Sequence, residues 1–277
     1  MPEEYVEPLH GQDSRLGRLI EFDLTSTRYP IRSLLGPRSV LQSKEWPCFE
    51  YLDQGNVGAC VGFSCEHDIA ADPVMLPVSH NHAMQIYKEA QRIDPWPGED
   101  YEGTSVLAGV KTLKAMGYIS EYRWAFSIDD VLDTLANYGP VIFGINWYSG
   151  MFYPNAAGVI NPSGSLAGGH AILGVGYNHE HQLVHLHNSW GQGWGRGGDC
   201  WISVANLTRL LNERGEACVP VVRTDPNPQP TYVAFSMVGS NVYHDYHVVR
   251  GTLDRRYTSF EEARAAGKRR CLVCRPG

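Results

Sequence analysis

The pattern of hydrophobic and polar positions divides the chain into a helical first part and a strand-rich second part. Small and apolar residues crowd positions 60–71, which predicts a buried helix. Short segments rich in β-branched and aromatic residues, separated by Gly, Asn and Pro, follow residue 139 and predict strands. Helices followed by strands predict an α+β fold with two facing lobes. The further predicted helices are HNHAMQIYKEAQRI capped by Ser79, SVLAGVKTLKAM ended by Gly117, and IDDVLDTLANY, and the strands are PVIFGINW, HAILGVGY, QLVHLH and DCWISV.

Charge and proline content divide the chain again, near its C-terminal end. Residues 232–277 carry eight basic and four acidic residues, a net charge of +4, whereas the whole chain carries −7. The preceding segment, RTDPNPQPT at 223–231, has three prolines and no apolar periodicity, which is typical of an extended linker. We therefore expect an N-terminal extension (1–40), a main domain (41–222), this linker and a small basic module (232–277).

Composition excludes several classes of protein. The chain is 43% hydrophobic and 19% charged, as in ordinary soluble globular proteins, and no run of about 18 apolar residues predicts a membrane span. The start, MPEEYVEPLHGQ, lacks the basic residues and apolar run of a secretory signal, so we expect synthesis in the cytoplasm and no membrane partner.

Seven cysteines, an odd number, argue against a disulfide framework. Buried reduced thiols are the simplest interpretation of Cys48, Cys65, Cys200 and Cys218.

One cysteine stands apart because it follows a glycine-rich turn and begins a predicted helix. In DQGNVGACVGFSC, Cys60 lies where unpaired backbone N–H groups favour a negative charge. A thiol attacks carbonyl carbon as its thiolate, which a nearby imidazole stabilises. The best candidate is His170, at the start of the strong strand HAILGVGY, and Asn188 at the end of the next strand could hold its ring.

Three ordered segments carry a family resemblance. Q-G-x-x-G-A-C-x-G-F, G-H-A-I-L-G-V-G-Y and N-S-W-G-x-x-W-G resemble the signature blocks of papain-family cysteine peptidases, and the resemblance covers residues 45–205. It implies a two-lobed papain-like fold with a helical lobe and a β-barrel-like lobe. It also implies hydrolysis of peptide bonds through a thiolate–imidazolium pair and a thioester intermediate, with no cofactor for catalysis.

The resemblance also assigns roles to individual residues. Cys60 would be the nucleophile, His170 would take and return its proton, and Asn188 would orient the ring. Trp190 would shield the His–Asn hydrogen bond from water. Further roles fall to Gln54, whose amide would donate to the oxyanion beside the backbone N–H of Cys60, and to Gly103, which would lie along the substrate backbone.

The sequence departs from the family pattern at three places. Phe63 stands where many relatives carry a disulfide cysteine, and Gly169 precedes the histidine in place of a polar residue. Residues 1–40 are too few for the large helical prodomain common in the family, so we expect a strap around the lobes or a short blocking segment. The other central histidines, His185 and His187, alternate with apolar residues and are expected to face outward on a strand.

The basic module contains two pairs of candidate metal ligands. His244 and His247 form H-x2-H, and Cys271 and Cys274 form C-x2-C, a set that fits one tetrahedral structural zinc ion. A segment this small has little core, so a metal would supply stability. The pattern resembles small Ada-like zinc modules of bacterial and phage proteins, although His247 stands where that pattern usually has Cys. A bacterial or phage association follows from this resemblance.

Three functions remain open on the sequence alone. The first is a cysteine endopeptidase or exopeptidase that acts on proteins or peptides. The second is an amidase that cuts bacterial cell-wall peptides with the same Cys–His–Asn site. The third is a binding or structural protein whose basic zinc module docks to a protein or to nucleic acid, since eight basic groups favour contact with phosphates.

Overall fold

The computed structural model describes residues 4–5, 13–38, 40–98, 100–222, 234–237, 239–244, 253–257 and 260–270. The chain divides into two compact units, Met1–Val222 and Arg223–Gly277. Each helix within the described residues is too short or too polar to span a lipid bilayer.

Local signals set the helix ends of the first unit. Ser79, Ser105 and Ser127 each accept a hydrogen bond from a backbone N–H in the first turn of the following helix. Gly117 ends a helix in the left-handed conformation, with φ of 87°. The four predicted helices are therefore confirmed. The helices are α1 (Cys60–Ala70), α2 (His80–Ile93), α3 (Val106–Met116), α4 (Ile128–Asn137), α5 (Val204–Asn212) and, in the second unit, α6 (Phe260–Ala265).

A seven-stranded antiparallel sheet forms the other half of the first unit. Its order is β10-β9-β8-β7-β11-β6, with β4 paired to β8. Within the described residues this path stays open between β10 and β6, so the expected barrel-like closure is wrong. The strands of the unit are β1 (Glu4–Tyr5), β2 (Arg18–Leu19), β3 (Glu21–Phe22), β4 (Lys44–Glu45), β5 (Thr104–Ser105), β6 (Ile119–Trp124), β7 (Val141–Tyr148), β8 (Leu166–Asn178), β9 (Leu183–His187), β10 (Asp199–Ser203) and β11 (Glu216–Val222).

Helix α1 is the central element of the helical lobe, and all its residues are buried. Close packing explains its small residues. A Cβ at Gly62 would lie 2.5 Å from the carbonyl oxygen of Ala83 in α2, and a Cβ at Gly109 in α3 would lie 2.6 Å from Val61. The uniform burial also explains why residues 60–71 show no polar face, and it places the first residue of α1 against β8.

The segment DCWISV forms a strand as predicted, β10 (Asp199–Ser203), and Ser203 then caps α5, which starts at Val204. One prediction from the strand-rich part is wrong. His187 was expected to face outward, but its side chain is buried and bonded to Asp199. Alternation along a strand separates two faces, and here the face of His187 is covered by other parts of the chain rather than by water.

The N-terminal segment runs across the unit. We call residues 13–19 the strap. Its strand β2 pairs in parallel with β5, with Arg18 opposite Thr104. Beyond the strap, the chain is fixed to the unit by ion pairs from Arg32 to Asp130 and Asp133 at α4.

The second unit is a four-stranded sheet with α6. Its order is β14-β12-β13-β15. His244 ends β13, and the other candidate zinc ligands, His247, Cys271 and Cys274, lie outside the described residues. Among the residues described, no group of three or more His, Cys, Asp or Glu is arranged to hold a metal ion. The strands are β12 (Ala234–Met237), β13 (Val242–His244), β14 (Leu253–Tyr257) and β15 (Arg269–Arg270).

Candidate active site

Cys60 is the first residue of α1, and its side chain is fully buried. The backbone N–H of Ala171 lies 3.3 Å from its sulfur, which places the sulfur beside the residue that follows His170. Burial raises the pKa of the Cys60 thiol to about 11, although the N–H groups of Ala171, Gly17 and Val61 oppose this shift. The resting group is therefore a neutral thiol that is surrounded by donors suited to a thiolate.

His170 is held through one of its ring nitrogens. Its Nε2 lies 2.8 Å from Oδ1 of Asn188, which also accepts from the backbone N–H of Ser189. A proton on Nε2 leaves Nδ1 as the basic nitrogen of a neutral ring, and no described group hydrogen-bonds to Nδ1. Burial lowers the pKa of His170 to about 4, against the opposing effect of Asn188. The ring is therefore poised as a neutral proton acceptor.

Aromatic side chains enclose this ring. The centroids of Trp190 and Trp147 lie 4.9 Å and 4.8 Å from the centroid of His170. Phe152 stacks on Trp190 at 5.6 Å, and the guanidinium of Arg15 lies 4.6 Å from the centre of the Trp190 ring. Water is thereby kept away from these sides of the imidazole, as the shielding role of Trp190 requires.

The side chain of Gln54 is fixed by three partners. Its Oε1 accepts from the hydroxyl of Ser189 at 2.6 Å. Its Nε2 donates to the carbonyl oxygens of Val57 and Arg15 at 2.7 and 3.0 Å. The amide that the sequence assigns to an oxyanion therefore donates to a carbonyl of the strap in this structure.

The strap lies directly on glycines of the site. A Cβ at Gly103, where φ is +104°, would lie 2.5 Å from the carbonyl oxygen of Gly17. A Cβ at Gly169 would lie 2.2 Å from the carbonyl oxygen of Arg18, and one at Gly17 would lie 1.9 Å from that of Gly58. The strap and the site both have glycine where they meet, and the absence of side chains there lets the backbone of the strap contact the backbone of the site. This explains the glycine at position 169.

Three contributors to the site were missed by sequence reasoning: Arg18, Thr104 and Glu216. Arg18 is buried and paired with Glu216, a partner 198 residues away along the chain. Thr104 donates its backbone N–H to Gly17 at 2.9 Å. A buried arginine in a polar segment gives no periodic signal, so only the folded chain brings these residues together.

A buried ionic cluster supports the segment that carries Asn188. His187 donates from Nδ1 to Asp199 at 2.7 Å and from Nε2 to the carbonyl oxygen of Glu50 at 2.9 Å. Burial acts to lower the pKa of His187, but hydrogen bonds with Asp199 and Cys48 outweigh it and raise the pKa to about 10. Burial likewise acts to raise the pKa of Asp199, but its bonds to His185 and His187 lower it to about 2. The cluster thus holds a cationic His187.

Residues 80–216 match the model of the family described as papain family cysteine protease. This segment contains His170 and Asn188, and the fold brings the sulfur of Cys60, which precedes the segment, to the backbone N–H of Ala171. The chain is therefore similar to the papain family over about half of its length. An uncharacterised peptidase C1-like protein of Acanthamoeba polyphaga mimivirus is 22% identical over 196 residues, 53% of this chain. The match spans 62% of the length of that viral protein.

Solved structures share the papain fold. Xylellain, a cysteine protease from Xylella fastidiosa, matches with a TM-score of 0.58 and 20% identity, over 79% of this chain and all of that one. The digestive procathepsin L 3 of Tenebrio molitor larval midgut matches with a TM-score of 0.54 and 17% identity, over 76% of this chain and 77% of its own. At these identities the likeness concerns the fold.

Proposed function

We propose that this papain-like chain hydrolyses peptide bonds in proteins or peptides with Cys60 as its nucleophile. One observation carries the proposal: the sulfur accepts from the backbone N–H of Ala171, next to His170, whose imidazole has its Nε2 bonded to Asn188 and its Nδ1 free of described partners. That arrangement gives a thiol, a base for its proton and a group that holds the base in one tautomer.

The chemistry follows from these positions. When substrate replaces the strap, the proton of Cys60 passes to Nδ1 of His170 and the thiolate attacks the scissile carbonyl carbon. The oxyanion accepts from the side chain of Gln54 and the backbone N–H of Cys60, which are fixed before the reaction. The proton then moves from His170 to the leaving amine, the C–N bond breaks, and a thioester remains. Water, deprotonated by the same imidazole, hydrolyses the thioester and regenerates the thiol.

The strap makes the described arrangement a resting state. The side chains of Cys60 and His170 are fully buried, and the donor of Gln54 is taken by Arg15. A peptide cannot reach the sulfur until the strap moves, so we propose that hydrolysis requires its displacement. This gives the N-terminal extension the role of a short blocking segment.

The test uses the full chain and two variants, Cys60→Ser and Cys48→Ser. Cys48 is a matched control because it is also buried, and its thiol donates to the carbonyl oxygens of Glu50 and His67, to which a serine hydroxyl can also donate. Hydrolysis of casein and of a mixed peptide library is expected from the wild type and the control, and none from Cys60→Ser. Full activity in Cys60→Ser would overturn the proposal. Release of peptides from bacterial wall fragments alone would favour the amidase alternative.

We also propose that the C-terminal module binds one structural zinc ion through His244, His247, Cys271 and Cys274. The two pairs supply nitrogen and sulfur ligands at spacings that suit zinc, and catalysis does not use the metal. Elemental analysis of the purified full chain is expected to give about one zinc per chain and much less in Cys271→Ser. Docking of this basic module to nucleic acid would give a gel shift that weakens steeply with salt.

A further inference from the structure

A pocket beside the nucleophile holds a buried cation. The side chain of Arg18 in the strap is only 1% exposed. Burial of a guanidinium is costly unless charged and polar partners replace its water, so a pocket that accepts one must be built for it. If such a pocket lies in a substrate cleft, it determines which substrate side chains can bind in it.

The walls of this pocket provide partners for two of the three guanidinium nitrogens of Arg18, and Nη1 has none among the described residues. Glu216 on β11 accepts from Nε of Arg18 at 2.9 Å and pairs with Nη2 at the same distance. The carbonyl oxygen of Arg214 accepts from Nη2 at 2.8 Å. We call the surroundings formed by Gly144, Glu216 and the Arg214 carbonyl the Arg18 pocket.

Gly144 gives the pocket its room. It lies opposite Glu216 on the neighbouring strand β7. A Cβ at this position would lie 2.8 Å from Nε of Arg18 and 2.6 Å from Oε1 of Glu216. Any side chain here would therefore displace the guanidinium or the carboxylate, so the glycine is part of the recognition of a long basic side chain.

The position of the pocket places it in the substrate cleft. Arg18 follows Gly17, whose N–H faces the Cys60 sulfur and whose carbonyl accepts from Thr104. The strap is thus an extended peptide bonded along the cleft, and a substrate must meet the same sulfur. Once the strap leaves, the N–H of Thr104 is available to substrate backbone, and the Arg18 pocket is open to a side chain close to the scissile bond.

We propose that the Arg18 pocket binds the side chain of arginine or lysine in a peptide substrate and selects for it through Glu216. This inference rests on the proposed function and adds the class of substrate. A neutral side chain would leave the carboxylate of Glu216, whose side chain is 14% exposed, without its ionic partner, and sites with unpaired, largely buried polar groups reject such ligands. The strap holds the cleft closed partly by presenting the residue that the pocket prefers.

The experiment uses the full chain with Arg18→Ala, which empties the pocket. A peptide library read by mass spectrometry first locates the basic position within two residues of the cleaved bond. Matched fluorogenic peptides then carry Arg, citrulline or Leu at that position, where citrulline keeps the shape of arginine without its charge. The kcat/KM for Arg is expected to exceed those for citrulline and Leu by about tenfold or more.

Two further variants, each made together with Arg18→Ala, test whether Glu216 causes the preference for the Arg peptide. Glu216→Gln is expected to lower kcat/KM for the Arg peptide about tenfold or more while the value for Leu stays within about threefold. Glu213→Gln is the matched control, because Glu213 also pairs with an arginine, Arg209, but lies at the surface. If Glu216→Gln does not fold, Gly144→Ala replaces it and is expected to reduce use of the Arg peptide more than that of Leu.

The outcomes separate the two proposals. Equal or better cleavage of the Leu peptide, or an Arg preference that survives both Glu216→Gln and Gly144→Ala, overturns the assignment of the pocket and leaves peptide hydrolysis standing. Absence of hydrolysis of every peptide counts against the proposed function itself.

Discussion

Replacement of Gly17 by alanine tests whether the strap controls access to Cys60. The added methyl would lie 1.9 Å from the carbonyl oxygen of Gly58, whereas ordinary contact begins near 3.4 Å. The strap must therefore move outward by about 1.5 Å to relieve the contact. The bond from Thr104 to the Gly17 carbonyl, now 2.9 Å, then exceeds hydrogen-bonding distance.

The size of the effect follows from the cost of overpacking. An extra methyl group in a tightly packed place costs about 1–3 kcal/mol. Since the methyl is free of this contact once the strap leaves, the cost falls on the closed state alone. The open fraction is then expected to rise by about 5- to 150-fold.

The assay is alkylation of Cys60 by iodoacetamide, with the labelled peptide identified by mass spectrometry. The Cys60 side chain is fully buried when the strap is in place, so labelling reports the open fraction. Gly17→Ala is expected to label about 5- to 150-fold faster than the wild type and to hydrolyse peptides faster by a similar factor. Gly36→Ala is the control, because a Cβ there meets no atom within 4 Å. A labelling rate in Gly17→Ala equal to that of the wild type, with the fold intact, would refute the reasoning.

Three further predictions concern the site and its support. In the Gly17→Ala background, Gln54→Ala is expected to lower kcat by about 10²–10³ in peptide hydrolysis, as loss of one oxyanion donor does. Labelling of Cys60 in the wild type is expected to rise steadily from pH 8 to about 11, because burial keeps the closed thiol protonated to about 11 while an exposed thiol ionises near 8.5; a plateau by pH 9 would contradict this. Asp199→Asn is expected to destabilise the first unit by about 3–5 kcal/mol in urea unfolding followed by tryptophan fluorescence, since it leaves His187 a buried cation. In the wild type, the stability that His187 gives is full below its unfolded pKa near 6.5 and is lost as pH rises through about 10, whereas that of Asp199 is full above about 4 and is lost as pH falls towards 2. An Asp199→Asn variant that matches the wild type across this range would show that the cluster contributes nothing.

Much of the fold could be predicted because its signals are local. The caps at Ser79 and Ser127 and the glycine at 117 lie next to the helices they bound, so short windows of sequence contain the information. The order of the Cys60, His170 and Asn188 blocks indicated the family for a similar reason, since each block is a short motif.

The remaining features depend on pairs that are distant along the chain. Arg18 meets Glu216 across 198 positions, and the burial of His187 depends on Glu50, which comes 137 positions earlier. α5 was missed because Ser203 ends a strand and caps a helix at once, and strand residues precede it without a break. Nothing in a single sequence indicates that such distant positions will be in contact in the folded chain.

The anchor at Arg32 has a consequence for how the strap competes with substrate. Because the ion pairs to Asp130 and Asp133 fix the chain only thirteen residues after the strap, a released strap stays tethered within a short distance of the cleft. A short flexible tether corresponds to an effective concentration in the millimolar range. A free peptide with the sequence DSRLGRL would therefore have to be supplied at about that concentration to close the cleft as well as the tethered segment does.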